Sequence, residues 1–367
     1  MKDSSFKFQV SSFRFQVPSF RFKFPKLKFS IFNLKFSIFL LFCGLSYGQQ
    51  SQPVTQYLFS RFMLNPAAAG ADGFTSAGLM IKDQWAGFDN APVNQILFGQ
   101  IRVPPTGIFG NAKRNFGASF SPENVGMGIA LFNDIRGPIR TSGAQFTYAY
   151  HIEDPFGQLS FGLTASMFQF YIDRNKITTE DWDHYLNSIN LSKIIPDAIF
   201  GVHYTTTNYY AGLSVSNLFQ SYLSFGGRNS SNYRIERQYL LMGSYIFSTT
   251  SDWVVAPAFQ FKFTERGAMQ LDVNLLAHYF DVFWGGVSYR SGGGGTIGSS
   301  SLMFGIRHKQ YHFGYAFDYS LNNMQRYSFG SHELMFLYAF DTGERASPNR
   351  RRFEFQQSKQ GGRRLYH

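Results

Sequence analysis

The sequence predicts an all-β fold: a transmembrane antiparallel β-barrel of the outer-membrane type, with about 14 strands. Three observations carry this. Apolar residues recur with a period of two through most of the chain, the repeat of a strand whose side chains alternate between faces. Aromatic residues reach 19% of 367, almost all of them Phe (43) and Tyr (21), while charged residues are only 16%, against about 25% in soluble proteins. No uncharged apolar run of about 18 residues occurs, the length a membrane helix needs. Chains whose lipid-facing and lumen-facing residues alternate have this profile.

The elements follow in order. Residues 4–38 hold five copies of a seven-residue unit, SSFKFQV, SSFRFQV, PSFRFKF, PKLKFSI and FNLKFSI. This reads as a tandem-duplicated leader, or a start assigned too far upstream, rather than a basic membrane-attracted arm. Lys35 ends the basic run, Phe36 to Leu45 form a short apolar core, and Ser46-Tyr47-Gly48 is a small-x-small cleavage site, the layout of a secretory signal. Phe42 stands before Cys43 where a lipid-attachment signal needs a small residue, so a lipoprotein is not expected. Residues 1–48 are therefore read as a signal peptide with a repetitive basic leader, 49–73 as a periplasmic N-terminal segment, 74–340 as the barrel and 341–367 as a basic periplasmic tail.

The net charge of +11 belongs to the ends. Residues 1–48 carry eight Lys/Arg against one Asp, 341–367 seven against three acids, and 49–340 nineteen of each. A neutral folded part gives no electrostatic footprint for nucleic acid. Cys43 is the only cysteine and lies in the segment expected to be removed, so no disulfide is expected and metal could be held only by His and carboxylates.

From residue 140 the alternation is regular. Leu159, Phe161, Leu163, Ala165 and Met167 oppose Ser160, Gly162, Thr164 and Ser166. Met269, Leu271, Val273, Leu275, Ala277 and Tyr279 oppose Gln270, Asp272, Asn274, Leu276 and His278. Tyr311, Phe313, Tyr315, Phe317 and Tyr319 oppose His312, Gly314, Ala316 and Asp318. Aromatics at strand ends (Tyr148 and Tyr150, Tyr209 and Tyr210, Tyr245 and Phe247) suit interfacial girdles, which favours lipid over a second sheet as cover for the apolar face. Strands are expected near 74–84, 92–102, 124–133, 139–151, 157–171, 197–206, 208–217, 236–248, 252–264, 268–280, 281–291, 299–309, 311–321 and 329–340, with 115–120 a possible addition. The stretch 172–196, with Trp182, is expected as a long loop. The last strand alternates Leu334, Phe336, Tyr338, Phe340. An even strand count puts both ends in the periplasm.

No catalytic constellation stands out. Gly292 to Gly295 lies between strands and does not open a helix, so it is no phosphate cradle. His332-Glu333 lacks the second histidine of a zinc-protease motif, and no Gly-x-Ser-x-Gly elbow occurs. No enzyme, cofactor or metal site is expected. Lys262, Asp272, Arg290, Arg307, Asp318 and Glu333 fall on polar faces of the last six strands. As buried charges they should pair, either as a structural network plugging the barrel or as a gate or partner surface.

Several motifs recur in order: Gln56-Tyr57, Phe62-Met63-Leu64-Asn65-Pro66-Ala67, Gly70, Gln84-Trp85-Ala86-Gly87, Gly126-Met127-Gly128, Asn133-Asp134 and Tyr148-Ala149-Tyr150-His151. Pro196-Asp197, Gly201 and Tyr210-Ala211-Gly212-Leu213-Ser214 follow. The end carries Gln270-Leu271-Asp272, Phe283-Trp284-Gly285-Gly286-Val287-Ser288-Tyr289-Arg290, Gly314-Tyr315-Ala316-Phe317-Asp318-Tyr319-Ser320 and Gly330-Ser331-His332-Glu333. Over roughly 55–340 the chain resembles the PorP/SprF family of type IX secretion system membrane proteins of Bacteroidetes. It departs from the family pattern in Ala67-Ala68-Ala69, where Ala-Tyr-Ala is usual, and in the N-terminal repeat. The resemblance implies a fourteen-stranded, non-enzymatic barrel in outer-membrane lipid. It would assist export or surface anchoring of an adhesin-like cargo through the cargo's C-terminal secretion domain, with other type IX components and, in gliding species, motility. The alternative from the residues is a channel for small or hydrophobic solutes, suggested by the barrel's size and the apolar lumen residues Phe168 and Phe170.

Overall fold

The computed structural model describes residues 54–103, 124–176, 192–223, 233–248, 252–280, 282–291, 298–321 and 323–340. Fourteen strands form the wall: β1 Thr75–Asp83, β2 Val93–Arg102, β3 Val125–Arg136, β4 Ile139–Asp154, β5 Gly157–Ile172, β6 Ser192–Thr205, β7 Tyr209–Ser216, β8 Gln238–Tyr245, β9 Trp253–Thr264, β10 Met269–Tyr279, β11 Phe283–Arg290, β12 Ser299–His308, β13 Tyr311–Ser320 and β14 Ser331–Phe340. Each pairs antiparallel with its neighbour in sequence, and β1 pairs with β14 from Thr75↔Phe340 to Asp83↔His332, which closes the ring. Closure matters because a strand edge in hydrocarbon would leave N–H and C=O groups unpaired at several kcal/mol each. A two-residue pair, Tyr222–Leu223 with Tyr233–Arg234, stands apart in the β7–β8 connection.

The expected strands are all present. The main difference is β6, which begins at Ser192, five residues before its expected start. Pro196 interrupts the apolar pattern there, yet it is tolerated because β7 pairs with β6 only from Phe200 onward, leaving 196 on a locally free edge. The leader, the tail after 340, Trp182, Gly292 to Gly295 and the possible strand at 115–120 lie outside the described residues.

Side chains divide by parity, as the alternation requires. Outward positions are apolar and exposed: Leu79, Leu97, Leu131, Leu163, Leu213, Leu275, Leu302 and Leu334 are each at least 40% accessible, values that suit a lipid-facing belt. Aromatics edge this belt near the end where Thr75 and Phe340 pair. Tyr209 stacks on Tyr245 at 6.5 Å, Trp253 lies 4.6 Å from Tyr279, and Tyr338 lies 4.7 Å from Phe340. Tyr210 is a correction: it points inward and is 9% exposed. Its neighbour Tyr209 holds the girdle position, and adjacent residues of a strand cannot share a face.

The two ends of the barrel differ. At the end of Thr75 and Phe340, hereafter the terminal end, most connections are short, as in 155–156, 206–208 and 309–310. The main exception there is 103–124, between β2 and β3. At the far end connections run longer in 84–92, 173–191, 217–237 and 321–330, while 137–138 and 265–268 are short.

Candidate functional site: a plugged lumen

Residues 54–73, expected as part of a periplasmic N-terminal segment, lie inside the barrel. Three short 3-10 turns, Tyr57–Phe59, Arg61–Met63 and Pro66–Ala68, run down the lumen from the far end to the terminal end. They bury Tyr57, Phe62, Ala67, Ala68 and Ala69 at 4% exposure or less. The physical reason is the inner wall. Phe62 joins inward Met80, Ile96, Phe98, Ala130, Trp284, Met303 and Met335 in one core, and those residues would otherwise line a wet hole. Phe59 packs on Trp284 at 4.9 Å.

At the terminal end the plug is gripped through the Asn65 side chain and through its own backbone carbonyls. Asn65 donates from Nδ2 to the carbonyls of Val202 (3.0 Å) and Leu213 (3.2 Å), and its Oδ1 accepts from Ala67 N–H, a 3-10 N-cap followed by Pro66 at the first position. Ser214 donates to the Leu64 carbonyl at 2.7 Å, and the His151 ring lies 3.0 Å from the Ala69 carbonyl. Gly162 and Gly126 permit this approach. A Cβ on Gly162 would meet Ala67 N at 2.2 Å, and one on Gly126 would meet the Ala69 carbonyl oxygen at 1.9 Å. Arg61 pairs with Asp72 at 2.5 Å and lies over the Tyr210 ring at 4.6 Å.

At the far end the plug begins in an ionic latch. Lys82 lies 2.5 Å from Asp318 and 3.6 Å from Glu333, and Arg290 lies 3.1 Å from Asp272. Glu333, 1% exposed, accepts from the backbone N–H of Thr55 (2.7 Å) and Gln56 (2.8 Å). Thr55 Oγ1 donates to Asp318 and accepts from Lys82. Asn274 donates to Tyr57 Oη at 2.8 Å. Buried carboxylates gain most from such charge-assisted bonds because few waters compete. Lys262, also buried, feels the charges of Asp272, Arg290 and Lys82.

Five of the six predicted lumen charges thus meet at one end. Arg307 does not: it faces inward near the terminal end, opposite His312. Of the motif residues, Asn65, Pro66 and Gly70 belong to the plug. Asp272, Arg290, Asp318 and Glu333 belong to the latch. Trp284 and Gly314 form the wall against it, with a Cβ on Gly314 only 2.2 Å from Gln56 Oε1. Gln84 and Trp85 lie in the β1–β2 connection, where Trp85 Nε1 donates to Ser320. Gly330 turns the chain into β14 at φ +84°. Tyr289, Tyr315, Tyr319 and His332 point outward and do not touch the plug. Sequence reasoning missed Lys82 and Thr55, and read Gln56 only as part of a motif. The signal available for the plug was the run of inward glycines, since glycine within a strand marks close approach of another backbone.

Among the described residues no cluster of His, Cys, Asp or Glu could hold a metal ion. Curated protein sequences gave no match. Solved structures with a similar barrel include the CymD monoaromatic hydrocarbon channel (12% identity, TM-score 0.46, covering 81% of this chain and 96% of that one). Another is the Ralstonia pickettii toluene transporter TbuX (11%, 0.45, 77% and 93%). A third is a Pseudomonas aeruginosa FadL homologue (10%, 0.43, 75% and 91%). The family described as type IX secretion system membrane protein PorP/SprF matches residues 46–338, which takes in the plug, the latch and all but the last two residues of the wall: the chain belongs to the PorP/SprF family.

Proposed function

We propose that this barrel is a sealed outer-membrane component of the type IX secretion system that binds a protein cargo and assists its export or surface anchoring. The cargo would be an adhesin-like chain engaged through its C-terminal secretion domain, and the barrel's part is non-enzymatic. The observation that carries this reading is the plug. Its apolar middle fills the lumen and both of its ends are bonded to the wall, which suits a docking and positioning component better than a pore. Longer connections belong to the outer face of such barrels and short turns to the periplasm. On that basis the far end faces outward, β14 ends in the periplasm, and the plug runs from the outer end at Val54 to the periplasmic end at Thr75. This reading differs from the expectation that both ends lie in the periplasm.

The test is a crosslinked pull-down of the tagged protein from detergent-solubilised outer membranes, read by mass spectrometry. Recovery of a long surface adhesin through its C-terminal end, together with other secretion components, is expected. A crosslinked preparation containing this barrel alone would count against the reading. The second reading, a channel for hydrophobic solutes, has one observation in its favour: Phe168 and Phe170 face inward and are only half-buried toward the far end. It requires a path past the plug.

A further inference from the structure

Trp85 ties the far-end loops to the latch. It follows Lys82 by three residues, just past the end of β1. Its backbone N–H donates to Ser331 Oγ at 3.1 Å and its Nε1 to Ser320 Oγ at 3.2 Å. Ser331 stands two residues before Glu333, and Ser320 two residues after Asp318. One residue thus clasps the three strands that carry Lys82, Asp318 and Glu333, a layer beyond those charges. The clasp continues into the loops. Ala86 N–H donates to the Gly330 carbonyl and Phe329 N–H to the Ala86 carbonyl, both at 2.8 Å. The Phe329 ring covers Gly87, where a Cβ would lie 2.7 Å from it. Trp85 and Asn90 each hold φ at +56°, a conformation that residues other than glycine keep only where their surroundings fix it. Phe88, Tyr327 and Phe329, in the same two connections, are 46%, 69% and 80% exposed.

The latch below the clasp is incompletely bonded. Among the described residues of the plug, Gln56 Oε1 is the one buried side-chain polar atom without a hydrogen-bond partner. On the wall at this end, Gln260 Oε1 and Asn274 Oδ1 are also buried without one. An acceptor buried without a donor weakens the state that buries it, and water would supply donors once Thr55 to Tyr57 lifted away. We propose that Trp85 is a positioning residue whose clasp holds the latch shut. Displacing the 84–92 and 321–330 connections releases the far end of the plug, Val54 to Tyr57, while the grip at Asn65 holds. A contact on the exposed aromatics is thereby carried into the lumen. The device rests on the plug and the latch, not on the identity of a cargo.

The test is hydrogen exchange of the full-length barrel in detergent, read by mass spectrometry. Trp85→Phe keeps a ring and removes the Nε1–H. Exchange over 54–60 should rise about fivefold, equivalent to about 1 kcal/mol, while exchange over 64–72 stays as in wild type. Ser320→Ala removes the same bond from β13 and should act alike, and the two substitutions together should do no more than either alone. Tyr315→Phe, which breaks the 2.7 Å bond to His332 on the outward face of β13 and β14, should change neither region. Heat-modifiability on gels reports whether each variant folds, and should Trp85→Phe not fold, Ser320→Ala carries the test. Unchanged exchange over 54–60 in the folded variants overturns the proposal. So does a rise of equal size over 64–72, which would mark a general loosening of the barrel.

Discussion

Gly162→Val is expected to unseat the plug. The glycine lies on β5 where the Pro66–Ala67 peptide crosses the wall, and a Cβ there would meet Ala67 N at 2.2 Å and the Pro66 carbonyl carbon at 2.3 Å. These are backbone atoms, so no rotamer change relieves the clash. The wall cannot yield either, because β5 is held on both sides by β4 and β6. The plug must move, and moving it breaks the two Asn65 bonds to Val202 and Leu213. Overpacking costs about 1–3 kcal/mol, and each lost buried bond adds about 1 kcal/mol. A total of about 3–5 kcal/mol is expected. Limited proteolysis of the folded variant should cut within 54–73, where wild type resists. Ala165→Val, on the outward face of the same strand, is the control and should leave resistance unchanged.

Lys82→Met should have an effect of similar size at the other end. Lys82 is 4% exposed and is the cation between Asp318 and Glu333. Methionine keeps the bulk and removes the charge, leaving two buried carboxylates near one another. Removing one partner of a buried pair costs about 3–5 kcal/mol, chiefly from the stranded charge. Urea unfolding of the barrel in detergent micelles should show that loss. Lys82→Met combined with Asp318→Asn restores neutrality and should recover more than half of it. If the double variant is no more stable than the single one, the latch is not an ionic arrangement.

The wall was legible because a period of two over ten residues is a strong signal, and the polar inner face announced most of the latch charges. The plug was not legible. Residues 54–73 form 3-10 turns, which impose no lasting period, and their apolar residues are buried by a barrel assembled from strands distant in sequence. Asn65-Pro66-Ala67 could be read as a motif but not as a cap reaching β6 and β7. Lys82 escaped because the charges expected in the lumen all came from the last six strands, whereas it lies on β1, whose other inward residues are Ser76, Gly78 and Met80. Tyr210 was placed in the girdle because it lies at a strand end beside Tyr209, and only parity separates the two. Arg307 shows the limit of parity: it gives the face but not the height along the barrel, so a charge on the correct face was grouped with a latch at the opposite end.

The account's central claim is a barrel sealed by its own N-terminal segment. Planar-bilayer conductance of the purified protein tests it most directly, with the intact chain measured beside one lacking residues 54–73. The intact barrel should be silent, and the deleted form, once shown to be folded, should pass ions in discrete steps. Steady conductance by the intact protein, equal to that of the deleted form, would contradict the seal and return the solute channel to first place.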